Sequence, residues 1–259
     1  MFDGLATILT LVEPMIGAVI LVFMRVGSFV ALLPGFGEQS IPMRLRLAVV
    51  VSFTIICWPL VAPNFAHTLP SFPGLAVLML IELAIGAVMG LAVRLMVMAL
   101  QIAGTIAAQA TAVSQMAGVA VTPEPMPAIG NALVIAGLAL ALAAGLPAQA
   151  VLAISNSYEV FPPGVLPLAG DIGQWGVARV ADAFALGLTL AAPFVIAAFC
   201  YNLALGFLNR AMPALMVAFV GAPAITAGAL LLLMLAAPVM LGIWHDRLSL
   251  TLAAPWAMP

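Results

Sequence analysis

Residues 211–245 read AMPALMVAFVGAPAITAGALLLLMLAAPVMLGIWH, thirty-five consecutive positions without a charged side chain. As one straight helix this run would be ~52 Å long at 1.5 Å per residue. A bilayer core of ~30 Å needs only about 20 apolar residues. Pro223 follows Gly221 and Ala222, so a break is expected there, giving a short piece and then a full span.

The rest of the chain has the same character. Of 259 residues, 66% are hydrophobic and 6% are charged, and mean hydropathy is +1.29. Soluble domains carry about 25% charged residues, because their surface must meet water. Seven basic and nine acidic side chains cannot cover a soluble body of 26.6 kDa. The composition predicts an all-α, multi-pass membrane protein in contact with a lipid bilayer. There is no lysine and the net charge is −2, which leaves no basic patch for nucleic acid. Cys57 and Cys200 each lie within an apolar run, where a thiol packs as a small hydrophobe, not as part of a metal motif.

About six apolar spans follow from length and hydropathy: 9–33, 45–62, 75–99, 129–154, 183–207 and 214–244. The first has an acidic leader, Met1-Phe2-Asp3-Gly4, and runs to about Leu33, so it is expected to be a span and not a cleaved signal. Trp58, Trp175 and Trp244 fall at or near span ends, as interfacial tryptophans do. Connections are short and rich in proline and glycine, and 122–127 reads TPEPMP. Residues 155–182, with Glu159, Asp171, Arg179 and Asp182, are expected to be the one long polar loop. Arg44, Arg46 and Arg210 fall on one side of this six-span layout, and Arg179 and Arg247 on the other.

Residues 100–121, LQIAGTIAAQATAVSQMAGVAV, are uncharged and rich in small side chains. They suggest a re-entrant or pore-facing segment, tolerated at membrane depth only when buried in protein or lining water. Gln101, Thr105 and Gln109 recur every four residues as one polar stripe, and Thr111, Ser114 and Gln115 extend it. Two readings stand for the stripe: a water-lined wall, or helix–helix contact made by hydrogen bonds. Ala103, Ala107, Gly86 and Gly90 are small-residue contact positions, while Met89, Met96, Met98 and Met116 suit packing filler.

Enzyme chemistry finds no support. His67 and His245 stand in different loops without a cysteine or carboxylate cluster, and no GxSxG, HExxH or P-loop occurs. Asp171 and Asp182 are loop residues in this reading, not a dyad. Four ionisable residues lie inside spans: Glu13, Arg25, Glu82 and Arg94. Glu13 and Arg25 are twelve residues apart, as are Glu82 and Arg94, a rotation of about 120° that forbids pairing within one helix. Glu13 and Arg25 are expected near the two ends of a span, snorkelling. Glu82 and Arg94 either snorkel or pair with a neighbouring chain.

Residues 202–223, NLALGFLNRAMPALMVAFVGAP, resemble the signature near the end of the FliR/SctT family of flagellar and injectisome type III export-gate proteins. The match lies in Asn209 and Arg210, then Pro213, a hydrophobic run, Gly221 and Pro223. SIPMRLRL at 40–47 resembles the Ser-x-Pro-x-Arg opening of the family's second span, with Pro42 and Arg44. Glu82 with Gly86 and Gly90, then Ala103, Gly104 and Gln109, is a third likeness. Thr105, Thr111 and Thr122-Pro123 depart from the family pattern.

The resemblance implies a non-enzymatic subunit of the flagellar export gate, without cofactor or metal, helping form and close the channel for exported unfolded proteins. It implies a multi-pass protein of the bacterial inner membrane, at the flagellar basal body. Implied partners are FliP-like and FliQ-like membrane subunits and the FlhA- and FlhB-like export proteins. It divides the single membrane-embedded domain into a FliP-like portion, about 1–180, and a FliQ-like helical hairpin, about 181–259. Gln109, Thr111, Ser114, Gln115, Met116 and Gly118 become pore or plug candidates. Pro42, Arg44, Glu82, Asn209, Arg210, Pro213, Gly221 and Pro223 become subunit-interface candidates. The alternative is a small secondary transporter whose midplane site uses a broken helix at Gly221–Pro223.

Overall fold

The computed structural model describes residues 2–38, 41–65, 72–111, 128–211 and 217–258. The described residues form seven α-helices, one short 3₁₀ turn and no strand: α1 (Phe2–Leu32), α2 (Met43–Val61), the 3₁₀ turn Ala62–Phe65, α3 (Phe72–Thr111), α4 (Ala128–Ala143), α5 (Leu146–Val160), α6 (Ala169–Ala211) and α7 (Val217–Ala253). An all-helical answer is what an apolar surround requires, because a helix satisfies its backbone hydrogen bonds internally. Five helices are long and apolar enough to cross a membrane, and six if α4 and α5 count as one span bent by 72°. The bend follows from sequence. Gly145 takes φ +85°, a conformation that ends α4 cheaply only at glycine. A proline in the first turn then opens α5.

Three expectations are corrected. The first half of 100–121 is not re-entrant: residues 100–111 continue α3, which has forty residues. Residues 112–127 lie outside the described residues. The stretch 155–182 is mostly helix, being the end of α5, a link at 161–168 and the first turns of α6. Finally, α7 runs through Gly221 and Pro223 without a break, so the broken-helix site of the transporter reading is not formed. Pro223 is the seventh residue of α7 and lies inside the helix without ending it.

The chain divides into two compact units: residues 1–94, 144–179 and 249–259, and residues 95–143 and 180–248. In the first, Leu21, Phe29 and Val30 of α1, Phe53 and Cys57 of α2, Met89 of α3 and Ile154 and Tyr158 of α5 are buried. The rings of Phe65 and Tyr158 meet at 5.6 Å between centroids. Helices α1 and α3 come so close that a Cβ on Gly86 would fall on the Arg25 carbonyl and the Ser28 hydroxyl. One turn on, a Cβ on Gly90 would lie 2.8 Å from Leu32 Cβ and 2.9 Å from the Phe29 carbonyl. Small residues four apart are how membrane helices bring backbones together.

In the second unit the same device joins α3 and α4, where a Cβ on Gly104 would collide with the Gly130 backbone. Ala103, Ala107, Met96 and Leu100 are fully buried there. Trp244 is fully buried as well, and its Nε1 donates to the Met96 carbonyl at 2.7 Å. The indole thus finds its acceptor inside the protein, not in an interfacial belt.

Gly86→Ala is expected to destabilise the chain by about 1–3 kcal/mol, the cost of forcing a methyl into a filled contact. Gly173→Ala, at an open helical position, should be neutral or stabilising by up to about 1 kcal/mol. Limited proteolysis of the membrane-inserted variants measures both, and equal resistance in the two would contradict this packing.

Candidate functional site

Arg25, on the face of α1 against α3, is fully buried, as is Glu82 of α3. Arg25 Nε donates to Glu82 Oε2 at 2.6 Å. Its Nη1 donates to Ser157 Oγ at 2.9 Å, and its Nη2 to the Phe161 carbonyl at 3.0 Å. The guanidinium carbon lies 3.6 Å from the centre of the Tyr158 ring. Tyr158 closes the circuit, its hydroxyl donating to Glu82 Oε2 at 3.3 Å. The Ser157 hydroxyl donates in turn to the Ile154 carbonyl at 2.6 Å.

Each guanidinium nitrogen therefore has an acceptor, and the flat face of the cation lies over the Tyr158 ring, whose quadrupole attracts it. Guanidinium suits this role, because its planar fork keeps its charge and meets several acceptors at fixed angles. Removing such a charge from water costs several kcal/mol, offset only when geometry and extra hydrogen bonds are good. The cluster ties α1, α3, α5 and the 161–168 link to one point. Its groups face one another, so the arrangement reads as a strut and not as a reaction centre. Among the described residues, no group of three or more His, Cys, Asp or Glu could hold a metal ion.

Arg25 therefore does not snorkel, and Glu82 pairs within this chain, not with a neighbour. The expectation that neither could pair along its own helix holds, since the partners belong to different helices. Arg94, half exposed, pairs instead with Glu38 at 3.6 Å. Pro42 and Arg44 are exposed at the start of α2. Their neighbour Arg46 turns back to the Phe36 and Glu38 carbonyls at 3.3 and 2.8 Å, holding the turn before α2.

The other candidates are dispersed. Gln109 is exposed on α3, and Arg210 is exposed in the last turn of α6, where a cation complements the helix dipole. Thr105 donates to the Gln101 carbonyl of its own helix at 2.8 Å. Thr111 ends α3, Asn209 lies in α6, and Gly221 and Pro223 lie in α7. Ser114, Gln115, Met116, Gly118 and Pro213 lie outside the described residues.

A second buried arginine was not anticipated. Arg179 of α6, expected in a loop, is 4% exposed. Its Nη2 donates to the Ala257 carbonyl at 2.8 Å and approaches those of Ala254 and Pro255, each at 3.3 Å. Trp175 Nε1, one turn earlier, donates to the Pro255 carbonyl at 3.1 Å. These bonds fasten residues 254–257 to α6. No periodicity advertises a backbone ligand set of this kind.

The model of a family described as bacterial export proteins, family 1, matches residues 16–251. A protein of Caulobacter vibrioides named flagellar biosynthetic protein FliR is 34% identical over 228 residues, 88% of this chain and 91% of the relative. Proteins of the same name from Aquifex aeolicus and Bacillus subtilis are 27% and 26% identical. They cover 88% and 91% of this chain, and 88% and 92% of the relatives.

Breaking one side of the buried pair, by Arg25→Met or Glu82→Leu, is expected to cost about 3–5 kcal/mol through the orphaned charge. The double variant should recover part of that loss. Membrane abundance and protease resistance are the readouts, and a double variant no better than the worse single one would contradict a mutual strut.

Proposed function

This chain belongs to family 1 of the bacterial export proteins, and from that membership we propose that it serves as a non-enzymatic subunit of the flagellar protein export gate, helping form and close the path for unfolded flagellar proteins. The observation that carries this reading is the length of exposed apolar surface on α6. Val177, Phe184, Leu188, Ile196, Phe199, Leu203 and Phe207 are all exposed on this one helix. Within the second unit, Phe184 to Phe207 alone runs about 35 Å at 1.5 Å per residue. That is somewhat longer than a hydrocarbon core of ~30 Å. Protein cover for part of this apolar surface is what the gate reading supplies.

The cover we propose is the FliP-like and FliQ-like subunits of a hetero-oligomeric gate in the bacterial inner membrane, at the flagellar basal body. Residues 1–180 are the FliP-like portion in this reading and 181–259 the FliQ-like hairpin. FlhA- and FlhB-like proteins would be the partners for export energisation and substrate switching. Arg44, Arg210 and the neighbourhood of Asn209 and Pro213 belong at subunit junctions, where exposed polar groups at helix ends meet acceptors. Gln109, Thr111 and the uncharged stretch 112–121, including Ser114, Gln115, Met116 and Gly118, are the proposed closure. An uncharged constriction gives an ion nothing to replace its hydration shell, and a methionine fills irregular gaps.

Two measurements test this. Co-expression with the FliP-like and FliQ-like subunits should convert the chain from an aggregation-prone to a monodisperse species, and Phe199→Glu should reduce co-purification about tenfold or more. A stable, partner-free monomer would overturn the assembly reading. Separately, deleting residues 113–118 should leave assembly intact and make the complex conduct small ions. An assembled complex that stays ion-tight would place the closure elsewhere.

A further inference from the structure

The C-terminal segment fastened by Arg179 covers a cavity of about 150 Å³. The cavity lies within the first compact unit, between α3, the 161–168 link and the first turns of α6. Its walls are almost wholly apolar, with Ile85 and Met89 on one side. Three aromatic rings line it, Phe161, Trp175 and Trp256, and a single charged side chain, Asp171.

The rings are held in place. Phe161 and Trp256 meet edge to face, with planes at 90° and centroids 6.2 Å apart, so they make a corner and not a stack. Trp175 is fixed by its hydrogen bond to the Pro255 carbonyl. Phe161 is fixed through its carbonyl by Arg25, and the segment carrying Trp256 is fixed by Arg179. Asp171 is exposed in the first turn of α6, and none of the three ion pairs among the described residues includes it. A carboxylate there also complements the helix N-terminus. That accounts for the residue, but not for three rings enclosing an apolar hollow beside it.

We propose that this cavity binds a quaternary ammonium group. An apolar cavity of about 150 Å³ accepts a group the size of benzene, and a trimethylammonium group is of that order. Its charge is spread over methyl surfaces and weakly hydrated, so it enters an aromatic-walled hollow where a primary ammonium would lose its water shell. The ring faces supply cation–π attraction, and Asp171 at the rim supplies the counter-charge. A neutral hydrocarbon group of the same shape would use the apolar walls but neither of these features. The group can come from a soluble choline-type solute or from the headgroup of a choline lipid.

The probe is free choline, added to the full chain purified with its partner subunits and followed by saturation-transfer NMR on the methyl signal. Binding should be saturable. 3,3-Dimethylbutan-1-ol, the uncharged isostere of choline, should bind about tenfold more weakly, and Asp171→Asn and Trp256→Leu should each weaken choline about tenfold, the scale of one such charge or ring contribution. Melting temperatures without ligand check that both variants remain folded. Weaker apparent choline binding in phosphatidylcholine nanodiscs than in phosphatidylglycerol nanodiscs would identify the lipid as the source, and equal binding would identify the soluble solute. No saturable binding, equal affinity for the isostere, or full affinity in folded Asp171→Asn overturns the proposal.

Discussion

Arg25 is the point from which the first unit is organised. A permanently charged guanidinium with no exposed surface has to be surrounded before anything else can pack around it. That requirement brings together four separate parts of the chain: α1 itself, Glu82 from α3, Ser157 and Tyr158 from α5, and the Phe161 carbonyl from the link that follows. The bonds are short enough that the helices have little freedom to slide. They are also possible only because Gly86, one turn beyond Glu82, lets the α3 backbone rest on the Arg25 carbonyl. Polar satisfaction and small-residue packing are here one constraint seen from two sides.

Between helices in lipid there is little hydrophobic drive, because lipid tails are as apolar as leucine. Specificity has to come from close fit and from polar groups that would otherwise be orphaned. The molecule uses both in each unit. In the first it is the Arg25 cluster with Gly86 and Gly90, and the Arg179 bonds to the final turn. In the second it is Gly104 against Gly130, and the Trp244 indole on the Met96 carbonyl. What remains on the outside of α6 and α7 is apolar along most of its length, including Phe199, Phe207, Leu231 and Leu235, with few polar groups to fix a register by itself.

Much of this was legible in the residues. Hydropathy located the spans, because a run of apolar side chains near 20 residues has few other solutions. Gly86, Gly90 and Ala103 were legible as contact positions through their spacing, and Arg25 and Glu82 as costly charges that could not pair along one helix. The pairing across helices was not legible, since it depends on which helices are neighbours, and two charged residues 57 positions apart carry no spacing signal. The break assigned to Pro223 did not form: α7 continues through it as one helix. The polar stretch 155–182 misled differently: Arg179 and Asp182 are charged, yet they continue a helix, with Arg179 buried by backbone carbonyls that no side-chain pattern marks.

The division of polar groups bears on how such a molecule can move. The Arg25 cluster uses all three guanidinium nitrogens on internal acceptors, and opening it would strand both a cation and a carboxylate in an apolar medium. A cost of several kcal/mol makes that cluster a poor hinge and a good fixed point. Arg179 fixes the C-terminal segment in the same manner. Conformational change during export is therefore expected in elements that lack such anchors. The same economy explains why so few charges suffice: the two buried arginines hold shape internally, and the exterior is left apolar.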